Sequence, residues 1–267
     1  MGLLMMLSEA VHGQSSRDVL VPLPSVLDFT GGEGWGLALG AGVEYEAAYD
    51  GSDEYEFEVD PAGALQYRKG DNLFFWEGLQ LGWRGLPVDG LFVQTGIRYE
   101  SGLEPDDSED GKLDGLPKRD SHVAGFLEFR KEIGENWRNW IGGFVLGGES
   151  DFGFLGLLAA GHRFGPQNDG TGTEVFVFST FGTDDFINKD FGVSAADESA
   201  SGLPQTDLDG GYRSTGLTVI DRRWLTANIM LQVEAGVELY SSEIKDSPIA
   251  QDDYEAEIGA SLVYSFF

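Results

Sequence analysis

The chain has 267 residues, 17 basic and 46 acidic, for a formal net charge of −29; such an excess excludes nucleic acid and anionic membrane surfaces as partners, since both would be repelled. The sequence contains no cysteine, which excludes disulfides and thiolate metal sites. At 12% aromatic residues with 39 glycines it is no disordered acidic tail, and no stretch reaches the roughly 18 apolar residues of a transmembrane helix.

The first thirteen residues, with an apolar core from Leu3 to Leu7 followed by Ala10 and Gly13, read as the remnant of a secretory signal cut after Gly13. Residues 14–34 carry Pro22, Pro24, Gly31, Gly32 and Gly34 without sustained alternation and read as a periplasmic lead-in. From Trp35 the period becomes two. Leu37, Leu39, Ala41, Val43 and Tyr45 fall on one face, and Gly36, Ala38, Gly40, Gly42 and Glu44 on the other, which is the pattern of a strand with one oily side.

A turn at Tyr49–Asp53 follows, and the chain returns with Tyr55, Phe57, Val59, Leu65 and Tyr67 outward against Glu56, Glu58, Asp60, Gln66 and Arg68 inward; Pro61 predicts a bulge. The next strands are predicted at 91–100, 121–132, 137–147, 152–164, 173–182, 211–220, 224–240 and 254–267. In 91–100 and 121–132, Arg98, Glu128 and Arg130 face inward. Segments 152–164 and 173–182 alternate poorly, with Phe176 and Phe178 interleaved with Val175 and Val177, so their facing is open.

The stretch Trp224–Tyr240 is the most regular. Its odd positions are apolar, its even positions include Gln232, Glu234 and Glu238, and fifteen such residues would span about 50 Å. That length suits a membrane wall better than a soluble sheet, and a charge at Leu231 would be costly if that residue sits at mid-membrane. If the long segments 101–120, 183–210 and 241–253 share the outer side, even parity requires 73–84 to hold two strands turning near Glu77 and Gly78. The fold class is therefore an all-β antiparallel transmembrane barrel of about twelve strands over 35–267. Trp35, Trp76, Trp83, Trp137, Trp140, Trp224 and Tyr45, Tyr67, Tyr99 and Tyr240 lie near strand ends, as interfacial aromatics do.

The inward charges Glu44, Glu56, Glu58, Asp60, Arg68, Arg98, Glu128, Arg130, Glu234, Glu238 and Glu257 define either a lumen that selects cations or an ion-pair network that plugs it. A plugged or narrow bore is the reading taken here. The loop Asp106–Gly111 mimics half a calcium loop, but Pro117 stands where a bidentate Glu is required. His122 and His162 lack a nucleophile context, so neither catalysis nor a cofactor or metal is expected. The last strand, with Tyr264, Phe266 and an extra Phe267, resembles the terminal signature read by the barrel assembly machinery.

Four loop segments carry a more specific likeness. Tyr49, Asp50, Gly51, Ser52 and Asp53; Phe191, Gly192, Val193 and Ser194; Ser201, Gly202, Leu203 and Pro204; and Asp246, Ser247, Pro248 and Ile249 resemble, in order, motifs of the MipA/OmpV family of MltA-interacting outer-membrane proteins. Asp50 replaces the family's Glu. The resemblance implies a barrel in the outer membrane, surrounded by its lipid. It also implies a scaffold between a murein hydrolase and a murein synthase, or in another branch an adhesin or porin-like protein.

Overall fold

The structure, a computed structural model, describes residues 32–266 apart from 89, 106, 107, 109, 135–137, 150 and 166–169. The predicted signal remnant and the lead-in up to residue 31 lie outside the described residues, as do Asp106, Asp107, Glu109, Trp137 and Phe267.

Among the described residues twelve strands close into one antiparallel barrel: β1 (Gly34–Ala47), β2 (Tyr55–Lys69), β3 (Asn72–Glu77), β4 (Gln80–Val88), β5 (Leu91–Glu100), β6 (His122–Ile133), β7 (Asn139–Gly147), β8 (Phe154–Phe164), β9 (Gly172–Gly182), β10 (Gly211–Trp224), β11 (Ile229–Tyr240) and β12 (Tyr254–Ser265). Consecutive strands pair, and β1 meets β12 from Ala38↔Ser265 to Tyr45↔Ile258. The short β3–β4 hairpin supplies the two strands that parity demanded. It turns at Gly78, whose positive φ of 53° suits a two-residue hairpin and is cheap only without a Cβ.

Side chains alternate around the wall. β6 shows the pattern cleanly, with Val123, Leu127 and Phe129 exposed to the outside and Ala124, Phe126, Glu128 and Arg130 buried within. The two strands of open facing are also settled: Phe176 and Phe178 point inward and Val177 outward, as do Leu155 and Leu157 inward and Leu158 outward. A predominantly polar lumen is thus corrected. Leu73, Phe75, Phe126, Trp140, Phe144, Leu146, Leu155, Leu157, Phe176, Phe178 and Ile220 form one apolar cluster inside the barrel.

Four local expectations change. Pro61 makes no bulge, because β2 runs in unbroken register with β1 through Ala41↔Pro61. Gly63 accepts from Gly78 on the β3 side, so Pro61, two residues away, turns its nitrogen to that same side, beyond the tip of β3, and no ladder bond is forgone. The stretch 224–240 is not one strand: Trp224 ends β10, and Thr226 Oγ1 accepts from the amides of Asn228 (3.2 Å) and Ile229 (3.0 Å) to close a turn. The turn therefore lies past Asp221, and Leu231 sits two residues from the periplasmic end of β11 instead of at mid-membrane. Trp140 and Tyr240 are lumenal and buried, whereas Trp35 and Trp76 stay on the outside.

Mid-wall facing is testable at Val177, which is 52% exposed at the centre of β9. Val177→Arg is expected to lower stability in lipid bilayers by about 2–4 kcal/mol, read from reversible unfolding, whereas Val177→Leu leaves it unchanged.

Candidate functional site

The long loops on the outer side fold over the barrel mouth as a cap. Loop 183–210 holds α1 (Asp184–Phe191) and α2 (Ala195–Ser201), and the β11–β12 loop holds α3 (Ser242–Lys245). Several helix ends are tied down by residue types suited to them. Ser194 accepts from the Asp197 amide while the Asp197 carboxylate accepts from the Ser194 amide, a reciprocal cap. Gly202 ends α2 in the left-handed region at φ 78°. At the C-terminus of α1, Arg119 donates to the carbonyls of Asn188 (3.0 Å), Lys189 and Gly192 (2.7 Å), placing a cation where the helix dipole is negative.

The four loop motifs meet in this cap. Ala48, Tyr49, Leu113, Leu116, Val193 and Ile249 form one apolar cluster with Leu103 and Leu203 packed against it. Ile187, Phe191, Leu208, Tyr240 and Ile244 form a second. Ser247 Oγ donates to the Phe191 carbonyl at 2.6 Å and accepts from the Ile249 amide at 3.1 Å. The Gly51 carbonyl accepts from Gln251 (2.7 Å) and Asp252 (3.1 Å). Gly51 has φ 84°, and a Cβ there would stand 3.2 Å from the Phe191 ring. Ser52 closes the first turn by accepting from the Glu54 amide, while Asp53, Asp246 and Pro204 lie toward the surface.

One arginine binds cap to wall. Arg213 sits at a register shift in β10, between Tyr212 and Ser214, and is buried. It pairs with Asp50 of the first motif and with Glu238 of β11 at 2.8 Å. Its guanidinium also lies 5.6 Å from the Phe191 ring and 5.4 Å from Tyr240, whose hydroxyl donates to Glu255. Burial pushes the Asp50 carboxyl up to about 8; Arg213 opposes this, while Glu255, Asp190 and Glu238 add to it. One cation thus serves several carboxylates.

Below the cap the lumen is divided. Glu44, Glu46 and Glu257 bring carboxylate oxygens within 4.8 Å of one another, a grouping able to receive a cation. The glycines opposite make room: the Glu257 carboxylate lies over Gly236, and Glu44 and Glu234 lie over Gly259. Glu58 and Glu234 are half-buried on this side, Glu56 is exposed at the rim, and the side chain of Asp60 lies outside the described residues. The facing wall is the aromatic cluster.

Toward the short turns the inner surface becomes rich in arginine. Arg84 donates to Gln94 (2.6 Å) and Glu77 (3.2 Å), while Arg98 pairs with Glu100 at 2.6 Å nearer the long-loop end of β5. Arg130 lies over Trp140 at 4.3 Å and pairs with Glu174 at 2.8 Å. Glu128 is buried among Arg84, Arg98 and Arg130, and Arg68 is half-buried near the end of β2. On the outer surface Tyr264 and Phe266 are exposed and stack edge to face.

Sequence reasoning missed Arg213, Glu255, Glu174 and Arg222. For Arg213 a signal existed: strict alternation from Arg222 back through β10 would aim residue 213 at lipid, a costly place for a charge, so a bulge was required. His122 stacks on Phe152 near the cap, and His162 bonds Asn139 at 2.7 Å near the opposite rim, so the two histidines do not converge.

The sequence model of the MltA-interacting protein MipA matches residues 39–266. No curated protein matches the sequence. Among solved structures, an outer membrane channel from Pseudomonas putida F1 is 14% identical, covering 90% of this chain and 98% of its own, with a TM-score of 0.50. The Pseudomonas putida toluene transporter TodX is 8% identical over 94% of this chain and 93% of its own, with a TM-score of 0.44. The likeness to the outer membrane channel is one of fold.

Arg213→Met leaves Glu238 without its cation and Asp50 without its hydrogen-bond donor, and is expected to cost roughly 3–5 kcal/mol, measured as faster proteolysis in 183–210 while the barrel remains folded. Because the folded pKa of Asp50 lies above its ordinary value of 3.8, its stabilising contribution is complete below about pH 4 and is lost as pH rises through about 8. Proteolysis of the cap should accelerate from pH 6 to pH 9, and Asp50→Asn should flatten that rise.

Proposed function

The chain belongs to the MipA family, and from that membership we propose that it is a non-enzymatic interaction protein of the bacterial outer membrane that holds a murein hydrolase at the cell envelope. The observation that carries this reading is the family match over residues 39–266, whose description is MltA-interacting protein. Two features agree with it. The outer mouth is covered by loops packed into two apolar clusters and bolted to the wall through Arg213. The lumen is occupied by aromatic side chains and ion pairs. Both favour a scaffold over a free pore. The wall would contact outer-membrane lipid through its exposed apolar rows, and Tyr264 and Phe266 would serve recognition by the assembly machinery. The loop motifs hold the cap together, and docking of a murein enzyme falls to the opposite, short-turn rim.

A second reading rests on Glu44, Glu46 and Glu257: a narrow, cation-preferring path that is closed while the cap is seated. An adhesive role through loops 101–120 and 183–210 is the third, and deletion of those loops would abolish ligand binding if it held.

Affinity purification of the chain from outer membranes is expected to recover a lytic murein transglycosylase. Recovery of none, with the barrel folded and at native level, would overturn the scaffold. In planar bilayers the intact protein should show no steady conductance, whereas deletion of 184–209 should open cation-selective events. Steady conductance from the intact protein would shift the assignment to a channel.

A further inference from the structure

We propose that the short-turn end of the lumen contains a binding site for one small oxyanion, phosphate or carboxylate, built by Arg130, Arg163 and Arg222 around Glu174. The three arginines come from β6, β8 and β10, and Glu174 from β9. Arg163 stands directly opposite Glu174 in the ladder, and Arg222 stands opposite Gly172, one inward position further toward the rim.

Hydrogen bonding is left incomplete there. Glu174 gives one oxygen to Arg130 Nη1 (2.8 Å) and the other to Arg163 Nε (3.2 Å). Glu132 lies 3.9 Å from Arg163. Among the described residues these two carboxylates lie within ion-pair distance of Arg130 and Arg163, while Glu234 acts on Arg222 from the neighbouring strand. Arg222 is 5% exposed and donates from Nε to the neutral Gln232 at 2.8 Å. Its Nη2 is buried with no acceptor, and so is Arg130 Nε.

A buried guanidinium nitrogen without an acceptor is costly, since both its hydration and its hydrogen bond are lost. An oxyanion answers that deficit, because its paired oxygens match the fork of N–H groups. Water reaches the group through Arg163, whose side chain is 17% exposed. The chain's net charge of −29 does not forbid an anion here, because at physiological salt fields from solvent-exposed charges fade over about 8 Å.

Titration calorimetry on the full chain folded in detergent, at about 0.15 M ionic strength, tests the site with inorganic phosphate and, separately, with acetate. The expected result is saturable binding of one anion per chain for at least one of the two, and which one binds identifies the group preferred. Arg222→Gln should weaken that binding by about tenfold or more, the loss expected for one charge-assisted hydrogen bond. If that variant does not fold, Glu132→Gln replaces it: removal of a competing carboxylate should tighten binding severalfold. No saturable heat with either anion, or affinities unchanged in the folded variant, would overturn the proposal.

Discussion

A bilayer core offers no hydrogen-bond partner to a peptide group, so a chain that crosses it in strands must close its sheet completely. The pairing of β1 with β12 meets that demand, and much else follows from it. Closure leaves one face of every strand to lipid and forces the other into a confined interior. Apolar rows such as Val123, Leu127 and Phe129 can face outward without cost, but the charges on the opposite rows must find partners within the lumen.

The interior solves that problem in zones. Carboxylates collect beside β1, β11 and β12, where Gly236 and Gly259 let them lie against the wall. Arginines collect toward the short-turn rim, and an aromatic cluster separates much of the remaining space. Arg213 joins the interior to the cap: through Asp50, Glu238, Phe191 and Tyr240 it touches the first and second loop motifs and the penultimate strand together. The motif residues are thus accounted for mainly by architecture. Ser194 and Gly202 delimit a helix, Ser247 links α1 to the last loop, and Gly51 permits two backbone segments to approach.

Much of this was legible in the residues themselves. Period-two alternation depends only on which side of a strand meets lipid, so the barrel, its strand count and the paired strands within 73–84 could be read before any contact was known. The loop motifs signalled the family because helix caps and tight turns are local and tolerate few residue types. Local reading also erred for identifiable reasons. Alternation ran by coincidence of parity through the turn at 225–228, so two strands looked like one. Pro61 signals a break only where its nitrogen would face a neighbour, and β3 does not extend that far.

Sequence alone determined the wall: its strands, their outward rows and the side on which the long loops lie, because lipid imposes one rule at every second residue. Tertiary structure decided the interior. Which ring fills the lumen, which carboxylate meets Arg213 and why three arginines surround Glu174 all depend on residues distant in the chain. Such partnerships are set by barrel register and by one bulge at Arg213, and no period in the sequence encodes them.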